Sequence, residues 1–525
     1  MSAEDSRPRT TLEYPAAGVD AILAGAARAW PDRVALREGD RELTYGMLHE
    51  RSLRVAAGLR ARGVTDGDVV AIRMPNSVEF VVAYFGILAA GATVTAVSPA
   101  QPEDALARML AEVGASLLLT DGAAGSLLDE LAAHDPLPQG RGRPDGVAHL
   151  QFTGGTTGHP KAVRVLHRNV VGNIVQVVDR RAAVRVRADG AGGLALVPAG
   201  PPTPHHLRPG EGVTVAVAPF FHVLGIVNLD ISLLLGATVV LGGRFDPARL
   251  LAEVERFGVT HLNGTPAMYH ALLRSPALRA HDLSSVRQLT SGGAALAPAV
   301  LDGLREAFTG AWIAEGYGLS EATSAVTSVP IGADRRHAAG TVGIPLADTL
   351  VEIRSPETGI PEPPGGTGEL WARGPQIADG YHREPELTAD HFRDGWLRTG
   401  DLAHVDDRGY VHLVGRLKEM LIYKGYNVYP RPLEELLSAH PAVAEAVVLG
   451  APDPSVGEIP VAFVVLAPGF RSSRALTDDI LGSVARSVVS YQKVRELHVV
   501  DVLPLSPAGK VDRRALRDRL REGVR

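Results

Sequence analysis

From about residue 40 to residue 350, short apolar runs alternate with stretches whose apolar positions recur every three or four residues. That rhythm predicts strands alternating with amphipathic helices, the pattern of an α/β protein. Leu48, Val55, Ala56 and Leu59 fall on one helical face, with Glu50 and Arg54 on the other. Val69–Met74 reads as a strand, Gly86–Gly91 as the end of a helix, and Leu117–Thr120 as a strand closed by the turn residues Asp121 and Gly122. Val213, Val215 and Val217 alternate along a further strand. The longest apolar runs are Val81–Val97, rich in Gly and Ala, and Phe220–Gly243, which carries His222 and Asp230. Neither reads as a membrane span; a buried strand or helix pair explains both. Two stretches read as loops: 140–146, and the proline-rich 198–212, which can be neither helix nor central strand. Its adjacent His205 and His206 point different ways with no carboxylates to support a metal, so an ordinary exposed loop is expected there.

After about residue 350 short strands and tight turns dominate, and from Leu417 the chain starts afresh with its own strands and helices. Domains at 1–416 and 417–525 are therefore expected, since 525 residues exceed one compact core. A hydrophobic content of 45% with 21% charged residues excludes wholesale disorder. The net charge of -6 gives no reason to expect nucleic acid as a partner. Met1 to Pro15 has no basic start leading into an apolar stretch, so a cytoplasmic protein without membrane insertion is expected. Cysteine is absent, which excludes disulfides, thiolate metal sites and a cysteine nucleophile. Any thioester chemistry must use a thiol brought by a substrate. Of 53 Lys+Arg residues only five are lysine: Lys161, Lys418, Lys424, Lys493 and Lys510. Where arginine is the default cation, a retained lysine marks a place where a compact ammonium is wanted.

The segment Gln151-Phe152-Thr153-Gly154-Gly155-Thr156-Thr157-Gly158-His159-Pro160-Lys161 combines backbone donors, hydroxyls and a scarce lysine. That combination suits polyphosphate, although the spacing is not that of a Walker loop. Four more blocks follow: Phe220-Phe221-His222; Glu315-Gly316-Tyr317-Gly318-Leu319-Ser320-Glu321; Thr399-Gly400-Asp401 with Gly415-Arg416-Leu417-Lys418; and Pro507-Ala508-Gly509-Lys510.

In this order, from about Leu43 to Arg517, the blocks resemble the adenylate-forming superfamily of acyl- and aryl-CoA synthetases, peptide-synthetase adenylation domains and luciferases. The look is closest to fatty-acyl- and 4-coumarate-CoA ligases. The resemblance implies a large N-terminal domain of two α/β sheets plus a small β-barrel-like part, and a small mobile α+β C-terminal domain. It implies ATP, Mg²⁺ and coenzyme A as co-substrate, acting on a small carboxylic acid. Lys161 and the loop Thr153, Gly154, Gly155, Thr156, Thr157 and Gly158 would hold the phosphates, with Glu321 and Thr153 on the metal. Ser320 would meet the α-phosphate. Tyr317 would lie against adenine, within a nucleotide site that includes Gly292, Gly293, Ala294, Glu315, Gly316 and Gly318. Asp401 would accept from both ribose hydroxyls, Arg416 would contact ribose or phosphate, and Lys510 would bridge the acid and the α-phosphate. Taken alone, Glu321 reads as a helix-start carboxylate, Asp401 as a turn residue and His222 as a core residue.

The acyl pocket is expected from Phe221, His222, Leu224, Asn228, Gly292, Gly293 and Val326. Adenylation needs Lys510 against the carboxylate whereas transfer needs that face open, so a hinge is expected at Lys418. Ala162 stands where the family commonly has Gly, Ser320 replaces the usual Thr, and Ile422 lies where aryl-CoA ligases often carry a lysine. The acceptor expected first is CoA. The alternatives are a carrier-protein phosphopantetheine, an amine or other small nucleophile, and, from another class, an inactive nucleotide-binding homologue.

Overall fold

The computed structural model describes residues 12–120, 126–153, 161–293, 296–333, 340–424, 426–505 and 511–521. They form two compact units, Met1–Leu296 with Asp302–Val351 and Ala372–Arg398, and Ala297–Leu301 with Glu352–Trp371 and Thr399–Arg525.

The first unit is built on two sheets. One runs β3 (Ala115–Thr120), β1 (Val69–Arg73), β2 (Thr93–Ala96), β4 (Val147–Thr153), β5 (Lys161–Leu166). Its strands are parallel except for the antiparallel β4–β5 pair. The other has nine strands, with β6 (Val213–Val215), β7 (Thr238–Val240), β8 (His261–Gly264), β9 (Gln288–Ser291) and β10 (Trp312–Gly318) among them. These five are parallel and β11 (Ala325–Ser328) closes antiparallel on β10. In parallel sheets ligands gather at the carboxyl ends of the strands, here Thr153, Gly264, Ser291 and Gly318.

The helices follow from the pattern. In α1 (Tyr45–Ala61), Leu48, Val55, Ala56 and Leu59 are wholly buried while Glu50 and Arg54 pair across one turn outside. Each long apolar run folds as a helix followed by a strand. The first gives α2 (Val78–Ala89) and β2; the second gives α4 (Val223–Leu234) and β7. Among the described residues no helix is long and apolar enough to cross a membrane. The expected alternation of Val213, Val215 and Val217 fails: β6 ends at Val215, and Thr214 is buried because neighbours lie on both sides. The 198–212 stretch is irregular but not simply exposed. Leu207 is buried, and the His205 ring lies 6.0 Å from that of Trp312.

Between the sheets' connections runs α3 (His167–Ala182), buried on nearly every side. Asn169, Asn173, Gln176 and Arg180 recur at helical spacing and form a polar stripe. Asn169 Nδ2 donates to the carbonyls of Pro375 and Ile377, and Asn173 exchanges two bonds with the Ala325 backbone. Gln176 Nε2 donates to Ala347 O, and Arg180 Nη2 to Pro345 O. Irregular chain that carries site residues is thereby fixed to a rigid helix.

The second unit has a hairpin of Val443–Asp453 and Gly457–Leu466 against helices Pro430–Ser438 and Arg474–Ser487. Its core contains Leu433, Leu437, Val448, Val464, Ile480 and Val484. It also holds most of β12 (Trp396–Val405), paired antiparallel with β13 (Val411–Arg416).

Candidate active site

β4 and β5 are joined by the glycine-threonine segment, and their ends are in register with Thr153 opposite Lys161. Gly154, Gly155, Thr156, Thr157 and Gly158 lie outside the described residues, as do Ala294 and Lys510. The strands nevertheless hold Thr153 and Lys161 side by side. Two residues back on the same face of β4, buried Gln151 donates through Nε2 to Phe221 O at 2.7 Å. That bond joins the strand leading to the loop directly to the start of α4. His222 is the N-cap of that helix, its Nδ1 accepting from Leu224 N at 3.2 Å. An accepting Nδ1 assigns the ring proton of a neutral imidazole to Nε2.

The Glu315–Glu321 block leaves the carboxyl end of β10 and turns sharply. Ser324 N donates to Ala322 O at 2.6 Å across Thr323, whose φ of 62° and ψ of -54° define a γ-turn. A β-branched residue at positive φ is strained, and Thr323 is held there by burial and by its Oγ1 bond to Gln376 O at 2.7 Å. The turn brings Ser324 O to within 1.6 Å of where a Cβ on Gly318 would stand, so only glycine fits. Glu321 is the residue this turn presents. Its Oε1 accepts from Tyr381 Oη at 2.9 Å, and its carbonyl takes the Ala378 amide at 3.0 Å.

Tyr381 was not visible as a site residue in the sequence. Its backbone bridges Val163 of β5, and His382 N donates to Ala162 O at 2.8 Å, next to Lys161. Burial, then the charge and hydrogen bond of Glu321, push its phenol above the ordinary tyrosine range, so it stays a donor. Tyr381 thus couples the strand that begins with Lys161 to the carboxylate of Glu321.

Other predicted residues take more structural positions. Glu315 Oε1 accepts from Leu296 N at 3.0 Å, tying down the chain that follows Gly292 and Gly293. Gly293 has φ of 83°, and a Cβ on Gly316 would stand 3.0 Å from Thr327 O. Tyr317 is almost wholly buried. Val326, expected in the acyl pocket, has no exposed surface. Gly292 and Leu224 do adjoin, a Gly292 Cβ falling 3.6 Å from Leu224 Cδ1.

In the second unit Asp401 and Arg416 are cross-strand partners, joined Oδ1 to Nε at 3.2 Å. Asp401 is buried, and its amide donates to Thr399 Oγ1 at 3.1 Å. Lys418 sits exposed in the short 3₁₀ turn Leu417–Glu419 after β13. The bridge Leu505–Val511 pairs the residues that flank 506–510.

A donor set of one carboxylate fixed by a phenol, with a threonine beside the loop lysine, suits a hard cation that keeps most of its ligands as phosphate and water. Among the described residues there is no group of three or more His, Cys, Asp or Glu that would cage a metal alone.

Residues 23–382 match the AMP-binding enzyme family and residues 432–510 the AMP-binding enzyme C-terminal domain. The chain belongs to this family of adenylate-forming enzymes, and the architecture agrees with it. It is 38% identical to a feruloyl-CoA synthase of Amycolatopsis sp, over 92% of this chain and 95% of that one. It is 34% identical to 4-coumarate--CoA ligase 5 of Oryza sativa subsp. japonica, over 94% and 93%. Among solved structures, the anthranilate CoA ligase AuaEII bound to anthranoyl-AMP superposes with a TM-score of 0.85 at 25% identity, covering 99% of both chains. The amide bond synthetase McbA of Marinactinospora thermotolerans gives 0.81 at 27%, covering 95% and 98%.

Proposed function

We propose that Lys161, Thr153, Glu321 and His222 serve the adenylation of a carboxylic acid, and that Asp401, Arg416 and Lys510 take part in the same reaction. The protein is an AMP-forming acid–thiol ligase. It activates a carboxylic acid with ATP as an acyl-AMP, releasing pyrophosphate, and passes the acyl group to coenzyme A. One carboxylate oxygen attacks the α-phosphorus as the bond to pyrophosphate breaks. The thiolate of CoA then attacks the acyl carbon, and AMP leaves with that oxygen.

The observation that carries the site assignment is the Lys161 strand, Tyr381 and Glu321 held as one construction. Both reactants are anions, so the barrier is chiefly one of position and charge. Lys161 faces the β- and γ-phosphates. Magnesium, when bound, would neutralise them, held by Glu321 with Thr153. Lys510 spans the acid and the α-phosphate. Asp401 accepts from the ribose hydroxyls once Arg416 has fixed its carboxylate. The His222 cap sets the wall beside the reacting carboxyl.

An aryl or arylpropenoic acid is the substrate class we favour, because the relatives at 38% and 34% identity are a feruloyl-CoA synthase and a 4-coumarate--CoA ligase. ATP–pyrophosphate exchange across fatty, aryl and amino-substituted acids tests this, with CoA added to identify the product. Acid-dependent exchange and an aryl-CoA product are expected. Exchange restricted to fatty acids would reject the acid class; exchange with no thioester, but with product on an amine or carrier, would reject CoA as acceptor.

A further inference from the structure

Arg181 lies in the last turn of α3, before the chain leaves through Ala183 at φ of 50°. Its Nη1 donates to Asn228 Oδ1 at 3.2 Å and to Asn263 Oδ1 at 3.1 Å. Asn263 Oδ1 also accepts from Thr290 Oγ1 at 2.6 Å. Burial pulls the Arg181 pKa down to about 10. Its surroundings are neutral: buried His261 has its pKa lowered to about 3 by desolvation and then by Arg181, and Tyr269 Oη donates to the carbonyls of Thr290 and Leu262. None of the bonds Arg181 makes among the described residues goes to a carboxylate. A half-buried guanidinium bonded only to amide oxygens keeps its charge unpaired and its remaining donors available to a ligand.

Its position says what could. Asn228 stands one turn after Leu224 on α4, its Nδ2 donating to Leu224 O at 2.7 Å. Leu224 in turn adjoins Gly292, whose Cβ would fall 3.6 Å from Leu224 Cδ1. From the His222 cap to Asn228 is six residues, roughly 9 Å along the helix at its usual rise. The amide oxygens of Asn228 and Asn263 are already used by Arg181, which leaves Arg181 Nη2 and Nε and Asn263 Nδ2 as donors with no acceptor among the described residues. A cluster with only donors to offer calls for an acceptor, and its charge favours an anionic one.

We propose that Arg181, with Asn228 and Asn263, is the far-end subsite of the acyl pocket and selects acids carrying a second, anionic oxygen group about 9 Å from the reacting carboxyl. The inference rests on the acid-activating reading given above and deepens it. A phenol ionised by the guanidinium and a second carboxylate share this chemistry. A site built to bond an oxygen rejects a substrate lacking it far more strongly than an apolar slot rejects an extra methylene.

The test compares kcat/KM in ATP–pyrophosphate exchange for acids of one skeleton that end in carboxylate, hydroxyl or methyl. The wild-type protein is expected to favour an oxygen-ended acid over the methyl acid by about 100-fold or more. Arg181→Leu is expected to remove or reverse that ratio. Arg181→Gln, which keeps a donor without the charge, should lose preference for carboxylate and retain part of that for hydroxyl. Because each ratio is taken within one protein, partial misfolding of a variant cancels. Wild-type preference for the methyl acid, or a ratio unchanged in Arg181→Leu, overturns the proposal while leaving acid activation intact. No exchange with any acid overturns both.

Discussion

At the scale of single residues, the chemistry depends on charges and the groups that hold them. Tyr381 has one polar task, the bond to Glu321, while its ring packs edge-on against His391 and Phe392. Tyr381→Phe keeps the packing and deletes the bond. Loss of such an outer partner typically weakens a metal site about 10–100-fold. The Mg²⁺ concentration for half-maximal exchange should rise within that range, with thermal stability little changed; an unaltered Mg²⁺ dependence would argue against Glu321 as the ligand. Asp230 offers a second test. It is wholly buried, accepts from Tyr84 Oη at 3.0 Å, and burial raises its pKa well above the usual value. The native carboxyl therefore keeps its proton at pH values where the unfolded one has lost it. The Asp230 contribution to stability falls as pH rises from about 4 towards the native pKa, with a limiting slope of about 1.4 kcal/mol per pH unit. Asp230→Asn carries no such penalty, so its stability relative to wild type should grow between pH 5 and 7 in urea titrations. A difference that stays flat would show that Asp230 is ionised in the fold.

At the scale of elements, the γ-turn after β10 converts a strand end into a presentation of Glu321. Gly318→Ala would place a Cβ against Ser324 O, which nothing short of backbone movement relieves. The variant should melt several degrees lower and lose exchange activity; a protein with normal exchange would mean the turn can open without cost to the site. Much at this scale was legible beforehand. The buried face of α1, the end of α2 near Gly86 and the strands β1 and β3 follow from period and turn residues. What escaped has a physical reason. Nothing in the sequence marks Asn169, Asn173 and Gln176, because it does not reveal that these amides meet backbone from residues 325–377. Tyr381 lies sixty residues beyond Glu321 in an unremarkable stretch, and only the strand-like pairing with β5 brings it back. Val217 failed because β6 ends at Val215, and a parallel strand whose faces are both covered by helices shows no alternation to extend.

At the scale of the molecule, one site must serve two half-reactions with opposite needs at the same face of the acyl-AMP. We assign the pivot to Lys418, in the turn that follows Arg416. Proline there fixes φ and should leave acyl-AMP formation within a few-fold of wild type while slowing thioester formation about tenfold or more in single-turnover reactions. Equal losses in both steps would remove Lys418 as the pivot. Attack of a carboxylate oxygen on the α-phosphorus of ATP leaves an isotopic trace. With an acid labelled with ¹⁸O in both carboxyl oxygens, turnover in the presence of CoA should place one label in AMP and leave one in the thioester. Label found in inorganic phosphate or pyrophosphate, with unlabelled AMP, would contradict the account.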